Sequence, residues 1–350
     1  MPLDQVNSTA VTSIGQQPAA ESEILLHTMP QYQRTLAGDI QFTSVGVHTG
    51  EQVAMRIRPA APNSGVTFVR TDITDRDNAI RPHPVTGHIN NVCNTRLCTM
   101  LGNTAGTTVS TVEHLMSVLY ALGVDNAVVE LNGPEVPVGD GSAEPFLHLL
   151  LKTGLVTQAA GRKAIQILRK INVEHKGRTV TLEPNDETVL EAVVDYTGKN
   201  DAIGFQARRF VLTPAAFMQD IAPARTFCLE GDIELMREQG LAKGGSLDNA
   251  VVYTGNADKP VLNPEGKRFD DEAVRHKILD KVGDMALVGG VVLGLMRSHL
   301  PGHDMSYRAF MEMFADEANY RLANLPLERM EPTQEFIGLP IYCGATARPA

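Results

Sequence analysis

A chain of 350 residues with 43% hydrophobic content is long enough for two domains with real cores, which excludes global disorder. Its formal charge of −10 and the lack of any Lys/Arg-rich run argue against a nucleic-acid partner, because neutralising phosphates takes a clustered basic surface. Cys93, Cys98, Cys228 and Cys343 lack zinc-ribbon spacing, Met285–Met296 is too short to span a bilayer, and residues 1–20 lack a secretory signal's apolar core, so a cytoplasmic protein with reduced thiols is expected.

Residues 1–31 are rich in Ser, Thr, Gln and Pro and read as a flexible extension. Strands follow: Asp39–Val47 and Glu51–Arg58 alternate apolar and polar residues, and Val66–Arg70 makes a third run. The turn between the first two carries His48, by itself an ordinary surface residue. Arg96–Met100 reads as a short strand and Gly102–Thr107 as a polar loop. Ser110 and Glu113 fit a capping box, so a helix is expected here and Glu113 has a purely structural reading as its cap. Neighbours on a helix point about 100° apart, so Glu113 and His114 do not easily share one ion. They could divide the work instead, with His114 on a metal and Glu113 as general base beside the attacking water. Asp125–Glu130 reads as a buried strand, Asn132–Asp140 as a stiff loop and Ser142–Leu151 as a helix. The small, polar stretch Thr157–Arg162 marks the expected domain boundary.

The second half opens on strands again, at Lys163–His175, Arg178–Glu183, Thr188–Tyr196 and Phe205–Val211. A short helix at Pro214–Ile221, a helix at Glu230–Gln239 and a strand at Asp248–Tyr253 follow. The loop Ser298–Gly302 delivers His303, and Met305–Ala323 reads as the last helix. Strands come first and helices after in both halves, an α+β order. The expected domains are 32–158 and 163–323, with a tail at 324–350 in which Phe336–Tyr342 could dock.

Phe269–Asp284 (FDDEAVRHKILDKVGD) is an amphipathic helix by its Val274, Ile278 and Val282 spacing, with Asp270 and Asp271 as its N-cap signal. His276, Asp280 and Asp284 also recur every four residues, which stacks them on one face with Cβ atoms about 5–6 Å apart. An imidazole and a carboxylate so placed can close on one Zn²⁺, although the pattern alone is a weak motif that better fits a solvated face with a His–Asp pair.

Taken in order, Val45–Gly50 (VGVHTG), Thr95–Thr99 (TRLCT), Ser110–His114 (STVEH), Gly123–Asn126 (GVDN), Pro134–Ala143 (PEVPVGDGSA), Ala224–Phe227 (ARTF), Val274–Asp284 (VRHKILDKVGD) and Pro301–His303 (PGH) resemble one family. It is the UDP-3-O-acyl-N-acetylglucosamine deacetylases, zinc amidases that release acetate in the step committing a cell to lipid A synthesis. The resemblance implies two α+β domains, each a sheet with a helix layer, with helices packed between the two sheets. It implies His114, His276 and Asp280 as ligands of one Zn²⁺ per chain, a set that Fe²⁺ could also occupy. Glu113 is implied as general base, His303 as general acid, Asp284 as the partner that orients His303, and Thr226 as a donor to the oxyanion. Lys277, Phe227, Tyr196, His48, Leu97 and Cys98 are implied around the UDP-acyl-sugar substrate, and Glu230–Ser246 as the insert lining an acyl passage. Arg96 departs from the apolar residue often found at its position. A monomer acting on this small molecule is expected. Rival readings are a zinc amidase for another N-acetyl sugar and a non-catalytic binder of nucleotide-sugar lipids.

Overall fold

The structure is a computed structural model that describes residues 28–73, 84–256 and 258–325, together with the backbone of 336–337. Two main sheets carry it. The first is formed by β1 (Ile40–Val45), β2 (Gln52–Pro59), β3 (Val66–Arg70), β4 (Val85–Thr86) and β5 (Ala127–Leu131), in the order β1-β2-β5-β3-β4. In β2 every second side chain points inward, so Val53, Met55 and Ile57 are buried while their neighbours are exposed. Only β3 and β5 run parallel, in register Val66 to Ala127.

The second sheet contains β6 (Lys163–Ile167), β7 (Ile171–His175), β8 (Arg178–Glu183), β9 (Thr188–Asp195), β10 (Phe205–Val211), β11 (Val291–His299) and β12 (Tyr320–Asn324). Its centre is β11, parallel to β6 and β9 and antiparallel to β8. The longer helices are α1 (Glu113–Ala121), α2 (Glu144–Thr153), α3 (Ile233–Glu238), α4 (Glu272–Met285) and α5 (His303–Phe314). Helix α4 packs against α1 on one side and against β9, β10 and α5 elsewhere. One apolar core runs from Val53 and Phe68 of the first sheet through Leu115 and Ile278 to Leu182 and Leu190 of the second. The fold is thus mixed α+β, with α1 and α4 meeting in the interior.

That meeting depends on Gly283. A Cβ there would lie 2.1 Å from the Glu113 carbonyl oxygen, so only glycine lets α4 approach the first turn of α1 so closely.

Several sequence expectations are corrected. Arg96–Met100 is not a strand but the turn between the paired segments Val92–Asn94 and Met100–Gly102. Asn94 Oδ1 accepts from the Arg96 N–H, and Leu97 sits at φ 64°, outside extended backbone. No capping box forms: α1 starts with Val112 as N-cap and no side-chain cap bond, after Thr111 turns the chain at φ 57°. Asp271 is the N-cap of α4 but makes no side-chain cap bond, because its carboxylate is taken by Arg275 and Arg208.

Lys163–His175 is broken into β6 and β7, and Asp248–Tyr253 shortens to Val251–Tyr253. The last helix ends at Phe314, and the chain turns under an Asp316 cap into β12, which pairs with β6. The same helix starts two residues earlier than expected, with His303 as the first residue of α5. The stretch expected as a linker is strand, Leu155–Gly161 pairing with Tyr32–Leu36. Phe336–Ile337 does dock, against the other edge of Leu155–Gly161. The expectation for residues 1–27 and for most of the tail lies outside the described residues. No helix among the described residues is long and apolar enough to cross a membrane.

Candidate metal and proton-transfer site

Every residue of α4 is buried except Arg275 and Lys277, so the His276, Asp280 and Asp284 face is interior and the solvated-face reading fails. Helix α1 brings His114 against it. Single donor atoms of His114, His276 and Asp280 all lie within 4.8 Å of one another. Nε2 of His276 is 3.3 Å, and Nε2 of His114 3.8 Å, from Asp280 Oδ1. Four-coordinate zinc with bonds of about 2.0–2.1 Å sets its ligand atoms roughly 3.3 Å apart, so the spacing fits.

The protonation pattern fits too. His276 Nδ1 lies 3.0 Å from the Ala224 carbonyl, which only accepts, so Nδ1 carries the proton and Nε2 presents a lone pair to Asp280. Burial, with His276 beside it, pushes His114 down to about 3, and burial also lowers His276; both are neutral imidazoles. Burial alone would raise Asp280, but Lys277 and His276 hold its carboxyl well below the usual carboxylate range. Two lone-pair nitrogens and a carboxylate oxygen gathered in a buried site are mutually repulsive without a cation between them.

A second group adjoins this one. His303 Nδ1 is 2.9 Å and 3.1 Å from the two oxygens of Asp284. On the other side of the ring, Nε2 is 3.5 Å from Glu113 Oε1 and 4.0 Å from Asp280 Oδ2. Burial lowers His303, but Asp284 and Glu113 outweigh it and raise the imidazolium to about 9. Burial raises Glu113 to about 7 against the pull of His303. A carboxyl that titrates near neutrality and an imidazolium that titrates above it therefore face the same space. Glu113 does not cap its helix: its Oε2 accepts from the Thr99 N–H at 3.0 Å.

The remaining predicted residues fall in three places. Lys277 donates to Asp280 Oδ2 at 2.9 Å and lies over the Phe227 ring at 5.4 Å, with Tyr196 edge-on to that ring at 6.2 Å. Thr226 precedes Phe227, its N–H donating to the Gly141 carbonyl at 2.8 Å. The Ala224 carbonyl that orients His276 belongs to the same segment.

His48 is half-buried on the 46–50 turn, whose N–H groups at His48 and Thr49 donate to the buried Glu135 carboxylate. The 230–246 insert packs onto that turn, Lys243 N–H donating to the His48 carbonyl and Gly244 N–H to that of Val47. Leu97 is exposed at the tip of the 95–99 turn, and Cys98 is buried behind it, its thiol pushed up to about 12 by burial and by Glu113. Cys98 is thus a thiol and not a nucleophile. Arg96 reaches across to Gln239 at the end of α3.

Sequence reasoning missed Thr99, which touches both Glu113 and Asp284. Its only sequence signal is its place in the TRLCT stretch.

A profile of the UDP-3-O-acyl N-acetylglycosamine deacetylase family matches residues 33–315. Among curated relatives, the UDP-3-O-acyl-N-acetylglucosamine deacetylase of Phenylobacterium zucineum is 43% identical, over 79% of this chain and 90% of that protein. Those of Histophilus somni and Pasteurella multocida are 38% and 40% identical, covering 87% and 81% of this chain and 99% and 90% of theirs.

Proposed function

The chain belongs to the UDP-3-O-acyl N-acetylglycosamine deacetylase family, and from that premise we propose how its buried site hydrolyses the substrate. The protein is a hydrolytic deacetylase acting on a UDP-3-O-acyl-N-acetylglucosamine, a step of lipid A biosynthesis. The observation that carries the mechanism is the adjacency of two groups: His114, His276 and Asp280 in one cluster, Glu113, His303 and Asp284 beside it.

His114, His276 and Asp280 would hold one Zn²⁺, and Fe²⁺ would suit the same donors. When bound, the ion supplies Lewis acidity and lowers the pKa of water toward about 7. Glu113 takes the proton from the attacking water as it adds to the acetamide carbonyl. The Thr226 hydroxyl donates to the oxyanion that develops there. His303, protonated and held by Asp284, gives its proton to the departing nitrogen, so the C–N bond breaks to acetate and a free amine. Lys277 and Phe227 face the sugar and its phosphates, with Tyr196 beside them, and His48, Leu97 and Cys98 flank the cleft. The 230–246 insert receives the acyl chain.

We take the enzyme to be a monomer working in the cytoplasm. Cys93, Cys98 and Cys228 are all free, which suits a reducing compartment. The test is acetate release from the UDP-acyl-sugar. Activity should vanish with a chelator and return with Zn²⁺, and activity indifferent to chelation would contradict the assignment.

A further inference from the structure

We propose that Thr99 is a positioning residue that fixes the general base and the partner of the general acid with one side chain and one peptide. The inference rests on the deacetylase reading of the site. Thr99 is 2% exposed, at the end of the 95–99 turn, and each of its polar groups is used. Its hydroxyl lies 2.8 Å from Asp284 Oδ1, and an ionised carboxylate only accepts, so the hydroxyl donates. Its N–H donates to Glu113 Oε2 at 3.0 Å, and its carbonyl accepts from the Val112 N–H at 3.4 Å, just before α1.

The consequence is geometric. Asp284 Oδ1 accepts from Thr99 and stands 2.9 Å from His303 Nδ1, so two donors from different parts of the chain set the carboxylate's rotation. His303 in turn holds Nε2 toward Glu113 Oε1 at 3.5 Å. Glu113 Oε2 is committed to the Thr99 peptide, which leaves Oε1 as the oxygen available to the attacking water. Thr99 belongs to the first half of the chain and Asp284 and His303 to the second. It thus ties the two halves together at the proton-transfer groups, where a misplacement of about 1 Å can cost on the order of 10²-fold in rate.

The test uses the full-length, metal-loaded enzyme and the UDP-acyl-sugar. Thr99→Val keeps the shape and the peptide but removes the hydroxyl; kcat should fall by roughly tenfold or more while KM and metal content stay unchanged. Thr99→Ser restores the donor and should recover kcat to within about threefold of wild type, since the charge-assisted bond returns. The hydroxyl acts through Asp284, so the Val substitution made in an Asp284→Asn background should cost less than about threefold. Wild-type kcat retained in Thr99→Val would overturn the proposal. So would a Ser variant as impaired as Val, or full additivity with Asp284→Asn. Should Thr99→Val fail to fold, Thr99→Ala carries the same comparison with Ser. Failure of the deacetylase reading looks different, because wild type itself then releases no acetate.

Discussion

His303 has a carboxylate at each ring nitrogen, Asp284 at 2.9 Å from Nδ1 and Glu113 at 3.5 Å from Nε2. Asp284 is close enough to keep the ring charged, and Glu113 is raised to about 7 by burial despite the imidazolium beside it. The base works above its pKa and the acid below its own, so kcat/KM should trace a bell with limbs near 7 and 9. Asp284→Asn removes a negative charge from the imidazolium and should move the alkaline limb to lower pH. Glu113→Ala should cost at least about 10²-fold in kcat with the metal still bound, as loss of a general base does. An Asp284→Asn variant that lost its metal and kept its pH profile would make Asp284 a ligand, contrary to this account. His276 and Asp280 were legible at this scale because a four-residue spacing forces them onto one helical face. Their burial was not, since the same spacing serves a solvated face.

Among the elements, α4 has the most at stake, because it carries two of the proposed ligands and meets α1 across a glycine. Gly283→Ala places a methyl where the Glu113 carbonyl oxygen is 2.1 Å away, and the oxygen is backbone that cannot swing aside. The helices must part, and overpacking of this kind costs about 1–3 kcal/mol, readable as a lowered denaturant midpoint. Activity should fall further than stability, since Glu113 is displaced along with its carbonyl. The insert containing α3 makes a separate prediction. It packs on the 46–50 turn through the Val47 and His48 carbonyls and is tied to the 95–99 turn by Arg96 and Gln239. Shortening the 3-O-acyl chain to a few carbons should lower kcat/KM steeply, each buried CH₂ being worth about 0.8 kcal/mol. Equal turnover of the unacylated UDP-sugar would favour an amidase for another N-acetyl sugar. Strands with clean alternation, such as β2, were readable from the sequence. Those that failed were decided by tertiary partners: Thr157–Arg162 is small and polar, yet Leu155–Gly161 pairs with Tyr32–Leu36, and β12 looked helical until β6 offered it an edge.

Across the whole molecule, each half opens on a run of strands, and that order made the α+β class legible without any contact information, although β5 follows α1, β11 follows α4 and β12 follows α5. What the order cannot reveal is the junction. The site is assembled where α1 from the first half meets α4 and α5 from the second, and Thr99 joins Glu113 to Asp284 over a sequence separation that no local pattern spans. The net charge of −10 belongs to the same scale: in the proposed function an anionic nucleotide-sugar is drawn by local cations such as Lys277 against the overall field. The central claim is a division of labour, with His114, His276 and Asp280 holding the metal and Glu113 moving the proton. Metal content and acetate release, measured on the same preparations of wild type, His276→Ala and Glu113→Ala, test it most directly. The account predicts one ion per chain and activity in wild type, neither in His276→Ala, and a retained ion without activity in Glu113→Ala. Full metal occupancy in His276→Ala, or loss of the ion in Glu113→Ala, would contradict it.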